Sequence, residues 1–268
     1  MKKVFIFVLI PHFYNLRTRL NTKMNKLSWQ FVYTIPSLIL FHHFADLHNI
    51  SNLILLFLGV TLINYIYENG YIQNDCVTTK KETKPQLRLN TNEMDIINKY
   101  WTKIVLSRII ITFLLLFAYA YVSNSIANTI ILTSLLIVLQ VVYLIYNHIR
   151  NIWNLVLILP LSYIRFYGFI IPFVPFNEIG TFIFATILIY PLSKVLEFTT
   201  RKRFKLSFFR KLISNIDKFR ILYYLIIIGF FLLIDINLIY IILATYYFIY
   251  RTVSFLVVNK KNLIQRRS

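Results

Sequence analysis

The stretch NYIYENGYIQNDCVTTKKETKPQLR, residues 64–88, begins inside an apolar run and ends in a basic one. Asn64, Glu68, Tyr71, Asp75 and Glu82 recur along it at spacings of three, four or seven residues. On a helix this spacing lines them along one face. A carboxylate in or beside a membrane segment is costly to desolvate, which makes these acids functional candidates. If Asp75 and Glu82 bind a metal-bound phosphate, the chain is a transferase rather than a pore or a scaffold.

The rest of the chain supplies the setting. Of its 268 residues 58% are hydrophobic and only 15% charged, with a mean hydropathy of +0.64. A soluble domain carries roughly 45–50% apolar and about a quarter charged residues. The apolar residues come in blocks centred near 28–44, 50–68, 104–122, 128–146, 153–173, 179–198, 219–234 and 237–257. Each is close to the roughly 20 residues that cross a bilayer. The expected fold is therefore all-α, a polytopic transmembrane helix bundle of about eight spans with room for a ninth, in a single domain over 1–268. The opening MKKVFIFVLI is like the start of a signal peptide, but its apolar core is short, Pro11 ends it and no small-residue cleavage site follows. It reads as a retained, membrane-touching segment.

A net charge of +19 could suggest nucleic acid, yet its distribution points to a lipid surface. With the N-terminus inside, the outer connections 45–49, 123–127, 174–178 and 235–236 contain no Lys or Arg. The inner ones hold Lys80, Lys81, Lys84, Arg88, Arg150, the RKRFKLSFFRK run at 201–211 and the KKNLIQRR tail. This is the positive-inside pattern of a multi-pass protein of the cell membrane with both termini cytoplasmic, its basic excess facing anionic headgroups. The two longest connections, 69–103 and 199–218, fall on that inner side and place an active site at the cytoplasmic mouth of the bundle.

Two oxygen ligands seven residues apart on one helix, Asp75 and Glu82, suit Mg²⁺, which prefers few carboxylates, several waters and phosphate oxygens. Lys80, Lys81, Lys84 and Arg88 would attract and clamp the phosphates. The same pattern also fits an interfacial loop whose acids pair with neighbouring lysines. The single cysteine, Cys76, excludes an internal disulfide and a Cys-based zinc site. His42, His43 and His48 cluster near an outer turn with Asp46 alone for a carboxylate, and read as interfacial polar residues. Arg165 lies about twelve residues into the fifth span, roughly 18 Å deep. A guanidinium there costs about 2.5–3.5 kcal/mol unless it meets a partner or water. It is either a structural cation, paired with Glu68 or snorkelling, or a phosphate ligand at the base of a polar cavity. Arg251 in the last span reads as structural.

NDCVTTKKETKPQLRL, residues 74–89, resembles the first motif of the UbiA superfamily of membrane prenyltransferases, NDxxDxxxD followed by a Pro-containing basic stretch. Asn74 and Asp75 match its opening, Glu82 stands at its last acid, and Thr78 replaces its middle aspartate. YNHIRNIWNLVLILPLSYIRFYG, residues 146–168, is similar to a region of the polyprenyl-phosphate phosphoribosyltransferase branch, with Tyr146, Arg150, Asn154 and Arg165 at its polar positions. Asn154 stands where an aspartate is common. KVLEF, residues 194–198, resembles a Lys-x-x-Glu element of that branch and brings in Lys194.

The resemblance implies a Mg²⁺-dependent transferase acting on a diphosphate-activated donor. Asp75 and Glu82 would hold the metal, Asn74 would orient the site, and Lys81, Lys84, Arg88, Arg150 and Arg165 would neutralise the departing diphosphate. Tyr146, Asn154 and Lys194 would line the substrate. It further implies transfer of a phosphoribosyl or related unit to a polyprenyl phosphate for cell-surface glycan assembly. Prenylation of an aromatic or lipid acceptor by a prenyl diphosphate is the close alternative. A transporter or flippase subunit for a lipid-linked intermediate belongs to another class. It would need polar residues along both halves of the bundle, whereas the outer ends are nearly uncharged. The expected partners are membrane lipids and a polyprenyl phosphate or prenyl diphosphate, with no nucleic acid.

Overall fold

The structure, a computed structural model, describes residues 2–79, 87–149 and 151–265, with side chains to 257. It is 84% helical, without strands among the described residues. The chain runs through α1 (Lys2–Leu9), α2 (Phe13–Thr18), α3 (Lys23–Trp29), α4 (Ile35–Phe44), α5 (Ile50–Gln73), α6 (Thr91–Lys99) and α7 (Trp101–Ser123). It continues through α8 (Ile126–His148), α9 (Asn154–Tyr167), α10 (Ile179–Ile189), α11 (Pro191–Thr199), α12 (Ser207–Leu212), α13 (Ile216–Leu233) and α14 (Leu238–Gln265).

α5 is the central helix. It starts where the Asn49 side chain accepts the Ser51 N–H, and it packs on α2, α7, α8 and α9. Half of its apolar window is buried inside the protein, against 17% for α7, whose Phe113, Leu114 and Phe117 point outward. A helix apolar all round and exposed on one side has lipid for its solvent. α5 and α8 approach closely at Gly70, where an added Cβ would stand 2.2 Å from the Tyr143 ring. α7 turns into α8 through Asn124, held at φ 46°, a left-handed conformation that asparagine tolerates, and through Ser125, which caps Asn128.

Five segments are long and apolar enough to cross a membrane: Ile50–Thr78, Trp101–Ser123, Ile126–His148, Phe176–Thr199 and Leu238–Val257. These mark the protein as membrane-embedded. The other expected spans take different forms. The block at 28–44 is a composite of α3, a wider π-type turn over Gln30–Thr34, and α4. The block at 153–173 shortens to the 14 residues of α9, after which the chain makes a 3₁₀ turn at Ile171–Phe173. The block at 219–234 lies in α13, whose first turns carry Asp217, Lys218 and Arg220.

The N-terminal segment forms a helical hairpin. α1 and α2 meet at a break where His12 sits at φ 69°. Breaking a helix strands backbone groups that lipid cannot satisfy. Side chains from the central helices meet them here. Arg108 on α7 donates to the Val8 carbonyl, Tyr65 donates to that of Leu9 at 2.9 Å, and Glu68 accepts the Asn15 N–H at 2.8 Å. Val4, Phe7, Val8 and Tyr14 then pack with Ile72, Cys76, Leu89, Ile97 and Ile104 in a second small core. At its far end Arg17 pairs with Glu93, whose carboxylate also closes a capping box with Asn90 at the start of α6.

Candidate anion site at the end of the central helix

The polar face read from the sequence exists on α5. Asn64 donates to the Tyr33 hydroxyl at 3.1 Å. One turn on, Glu68, 1% exposed, faces Arg108 at 3.7 Å, while Arg108 also donates to the carbonyl of Tyr65 at 2.5 Å and to Asn69. Arg108 lies flat on the Tyr65 ring, 3.7 Å from its centroid. The structural alternative for Arg165, an ion pair with Glu68, is thus taken by Arg108 instead.

Tyr71 comes next on the same face, and it joins two arginines. Its hydroxyl accepts from Arg165 Nη1 at 2.6 Å, and its ring carries the Arg19 guanidinium 4.2 Å from the centroid. Arg165, 6% exposed, is also wrapped by Tyr67 at 4.1 Å and Trp29 at 4.5 Å. Aromatic faces attract a cation without neutralising it. Its Nε is buried with no hydrogen-bond acceptor.

At the end of α5 the helix widens into a π-type turn over Asn74–Thr78, where the Thr79 N–H reaches back to Asn74. Such turns insert a residue and re-aim side chains. Asp75, 2% exposed, is aimed inward here. Arg19 grips its carboxylate with both terminal nitrogens, at 2.9 and 3.0 Å. Tyr14 donates to Oδ2 at 2.9 Å, Arg88 to Oδ1 at 3.2 Å, and Asn74 to Oδ1 at 3.1 Å. Burial and then the Asp75 charge push the Tyr14 phenol well above its ordinary pKa, so it stays a donor. Burial opposes the charge on Arg19, but the Asp75 hydrogen bonds and charge prevail and raise its pKa. His12, nearby in the hairpin, is lowered by burial and then by the Arg165 charge, which favours the neutral imidazole.

Charge accounting defines what this arrangement can do. Arg19 and Arg88 contact Asp75, and Arg165 joins them through Tyr71; Asp75 is the one described carboxylate this group meets, since Glu68 is matched by Arg108. Among the described residues, which leave out Glu82, two positive charges remain beside a lipid-embedded helix. Uncompensated buried charge is expensive, and a multivalent anion such as a diphosphate removes the imbalance.

Of the residues expected at a site, Asn74, Asp75, Arg88 and Arg165 are brought together, the last through Arg19 and Tyr71. Glu82, Lys81, Lys84 and Arg150 lie outside the described residues. Tyr146 receives a hydrogen bond from Arg203 at 3.3 Å, and the buried Asn154 donates to the Tyr146 carbonyl at 3.3 Å, leaving its own Oδ1 unpartnered. Lys194 belongs to a different ion cluster: it meets Glu197 at 3.2 Å, and Glu197 is gripped at 2.6 and 2.8 Å by Arg220. Of the expected magnesium pair, Asp75 and Glu82, only Asp75 lies among the described residues. Both oxygens of Asp75 face guanidinium groups, and no three His, Cys, Asp or Glu side chains converge among the described residues.

The chain matches no known family model, no characterised protein and no solved structure. The site's unforeseen members are Tyr14, Arg19 and Arg108. Arg108 carried a readable signal, being a charge inside an apolar block like Arg165. Arg19 and Tyr14 did not, because they reach Asp75 from 56 and 61 residues away.

Proposed function

We propose that the chain is a UbiA-like membrane transferase that binds a diphosphate-activated donor at the Asp75–Arg165 cluster and transfers a phosphoribosyl or related sugar-phosphate unit to a polyprenyl phosphate. The observation that carries this reading is the surplus of guanidinium over carboxylate, including a buried Arg165 Nε with no acceptor. Three arginines give a departing diphosphate bidentate hydrogen bonds and full charge at any physiological pH. They would stabilise negative charge as it builds on the leaving group, and dipoles and cations fixed in a water-poor site do so without reorganising. Asp75 then acts as a positioning residue that holds Arg19 and Arg88 at a set distance. The positive-inside pattern supports an orientation with both termini cytoplasmic, about eight crossings and the site at the inner face.

The test is transfer by membranes containing the protein, supplied with labelled phosphoribosyl diphosphate or labelled prenyl diphosphate and with lipid phosphate or aromatic acceptors. The reading predicts labelled lipid product from the first donor, cut at least a hundredfold by Arg165→Met. Product from the prenyl diphosphate alone would assign the prenyltransferase alternative. Product undiminished by Arg165→Met, or none from either donor, overturns the reading.

A further inference from the structure

A second group of cations lies beside the first, and the donor site does not use it. The connection from α11 to α12 contains Arg201, Lys202, Arg203 and Lys205 within five residues. It is not a loose loop. A 3₁₀ turn at Lys202–Phe204 buries Phe204 to 7% exposure, and Lys205 closes the turn in a left-handed conformation at φ 56°. That anchor leaves Arg201 and Arg203 exposed but set in place. Arg203 donates to the Tyr146 hydroxyl at the end of α8, and Arg201 lies 3.6 Å from the centroid of the Phe198 ring.

No carboxylate is free to pair with them among the described residues. The neighbouring Glu197 is occupied by Arg220 and Lys194, and Asp75 by Arg19 and Arg88. The crowding is electrostatically visible: desolvation by packed neighbours and then the charge of Arg203, with Arg88 adding to it, hold Arg201 below the ordinary arginine pKa. Arg88, 3.2 Å from Asp75, also acts on Arg201 by charge repulsion. Two guanidinium groups from one anchored turn, with a phenol from α8 bonded to one of them, make a fork for a compact oxyanion.

We infer that Arg201, Arg203 and Tyr146 form a second anion site that takes a phosphate monoester. A monoester offers three oxygens to two arginines and a hydroxyl, which a phosphodiester does not match. That its ligand is the lipid acceptor of the transfer rests on the reading above; the binding itself does not. Two neighbouring anion sites would hold donor and acceptor together with their mutual repulsion screened by arginine, so the structure favours a phosphate-bearing acceptor over an aromatic one.

The experiment follows thermal stabilisation of the purified protein by farnesyl phosphate, with farnesol, inorganic phosphate, phosphatidylglycerol and inorganic diphosphate as parallel ligands. Farnesyl phosphate is expected to stabilise and farnesol not to. The Arg201→Gln/Arg203→Gln double variant should lose that response at least tenfold in half-saturating concentration, and Tyr146→Phe more modestly. Both variants should keep the wild-type response to diphosphate, which reports the first site. Competition by inorganic phosphate at equal affinity would support the monoester site with a free anion as its ligand. Equal stabilisation by phosphatidylglycerol, or a double variant with an unchanged farnesyl phosphate response, overturns the inference. Loss of the diphosphate response in the wild type would instead count against the donor site alone.

Discussion

Arg108→Met is expected to destabilise the protein by about 3–5 kcal/mol, the usual cost of removing one partner of a buried ion pair. The reason is local and specific. Arg108, 3% exposed, serves Glu68, Asn69 and the carbonyls of Val8 and Tyr65 at once. Without it Glu68 loses its counter-charge, and the broken end of α1 loses the donor that satisfies it inside the bundle. The hairpin should then loosen from its α1 end before the rest unfolds, because α1 is left with the Tyr65 hydrogen bond and a small apolar core, while Tyr14, Arg17 and Arg19 still tie α2 to Asp75 and Glu93. Limited proteolysis should cut the variant within residues 10–22, with a lowered melting temperature beside it. Glu68→Gln in the same chain should recover part of the loss, since it removes the orphaned charge. An Arg108→Met protein that melts like the parent and resists cleavage would show that the hairpin is held otherwise.

Asp75→Asn should produce two effects of opposite sign. Stability falls by about 2–4 kcal/mol, because the charge that compensates Arg19 and Arg88 is gone from a buried position. Affinity for inorganic diphosphate, measured with magnesium chelated, should rise at least tenfold. The variant adds one net positive charge to a cluster that already exceeds its acid, and tenfold corresponds to only about 1.4 kcal/mol of added attraction. The amide oxygen still accepts from Arg19, so the cluster keeps its shape. A site built around a metal on Asp75 predicts the reverse for binding in the presence of magnesium. Equilibrium binding with and without chelator decides between them, and weaker binding under chelation would contradict the arginine-compensated account.

The sequence carried the central helix well because its polar residues follow one helical face. Asn64, Glu68, Tyr71 and Asp75 each find a long-range partner there. Membrane embedding was equally legible, since 58% apolar composition in blocks has few other folds. The number of crossing helices was less so. The 28–44 block contains a π-type turn, the 153–173 block stops at Tyr167, and α13 begins with charged turns, none of which hydropathy averaging registers. The hairpin escaped for a different reason. MKKVFIFVLI reads by composition as a retained, membrane-touching segment, while its role depends on where Arg19 arrives after the break at His12. Lys194 entered through its Lys-x-x-Glu likeness, and the structure shows where that pair sits. An i, i+3 partner, Glu197, and a distant one, Arg220, draw it into a structural ion cluster.

A guanidinium surplus at the end of the central helix should bind a multivalent anion. The most direct measurement is equilibrium binding of ³²P-labelled inorganic diphosphate to the purified protein and to Arg165→Met, across a range of salt concentrations. The account predicts saturable binding that weakens as salt rises and is reduced at least tenfold in the variant, whose aromatic surround of Trp29, Tyr67 and Tyr71 is kept. Wild-type protein that fails to bind diphosphate, or an Arg165→Met protein that binds it equally well, would contradict it.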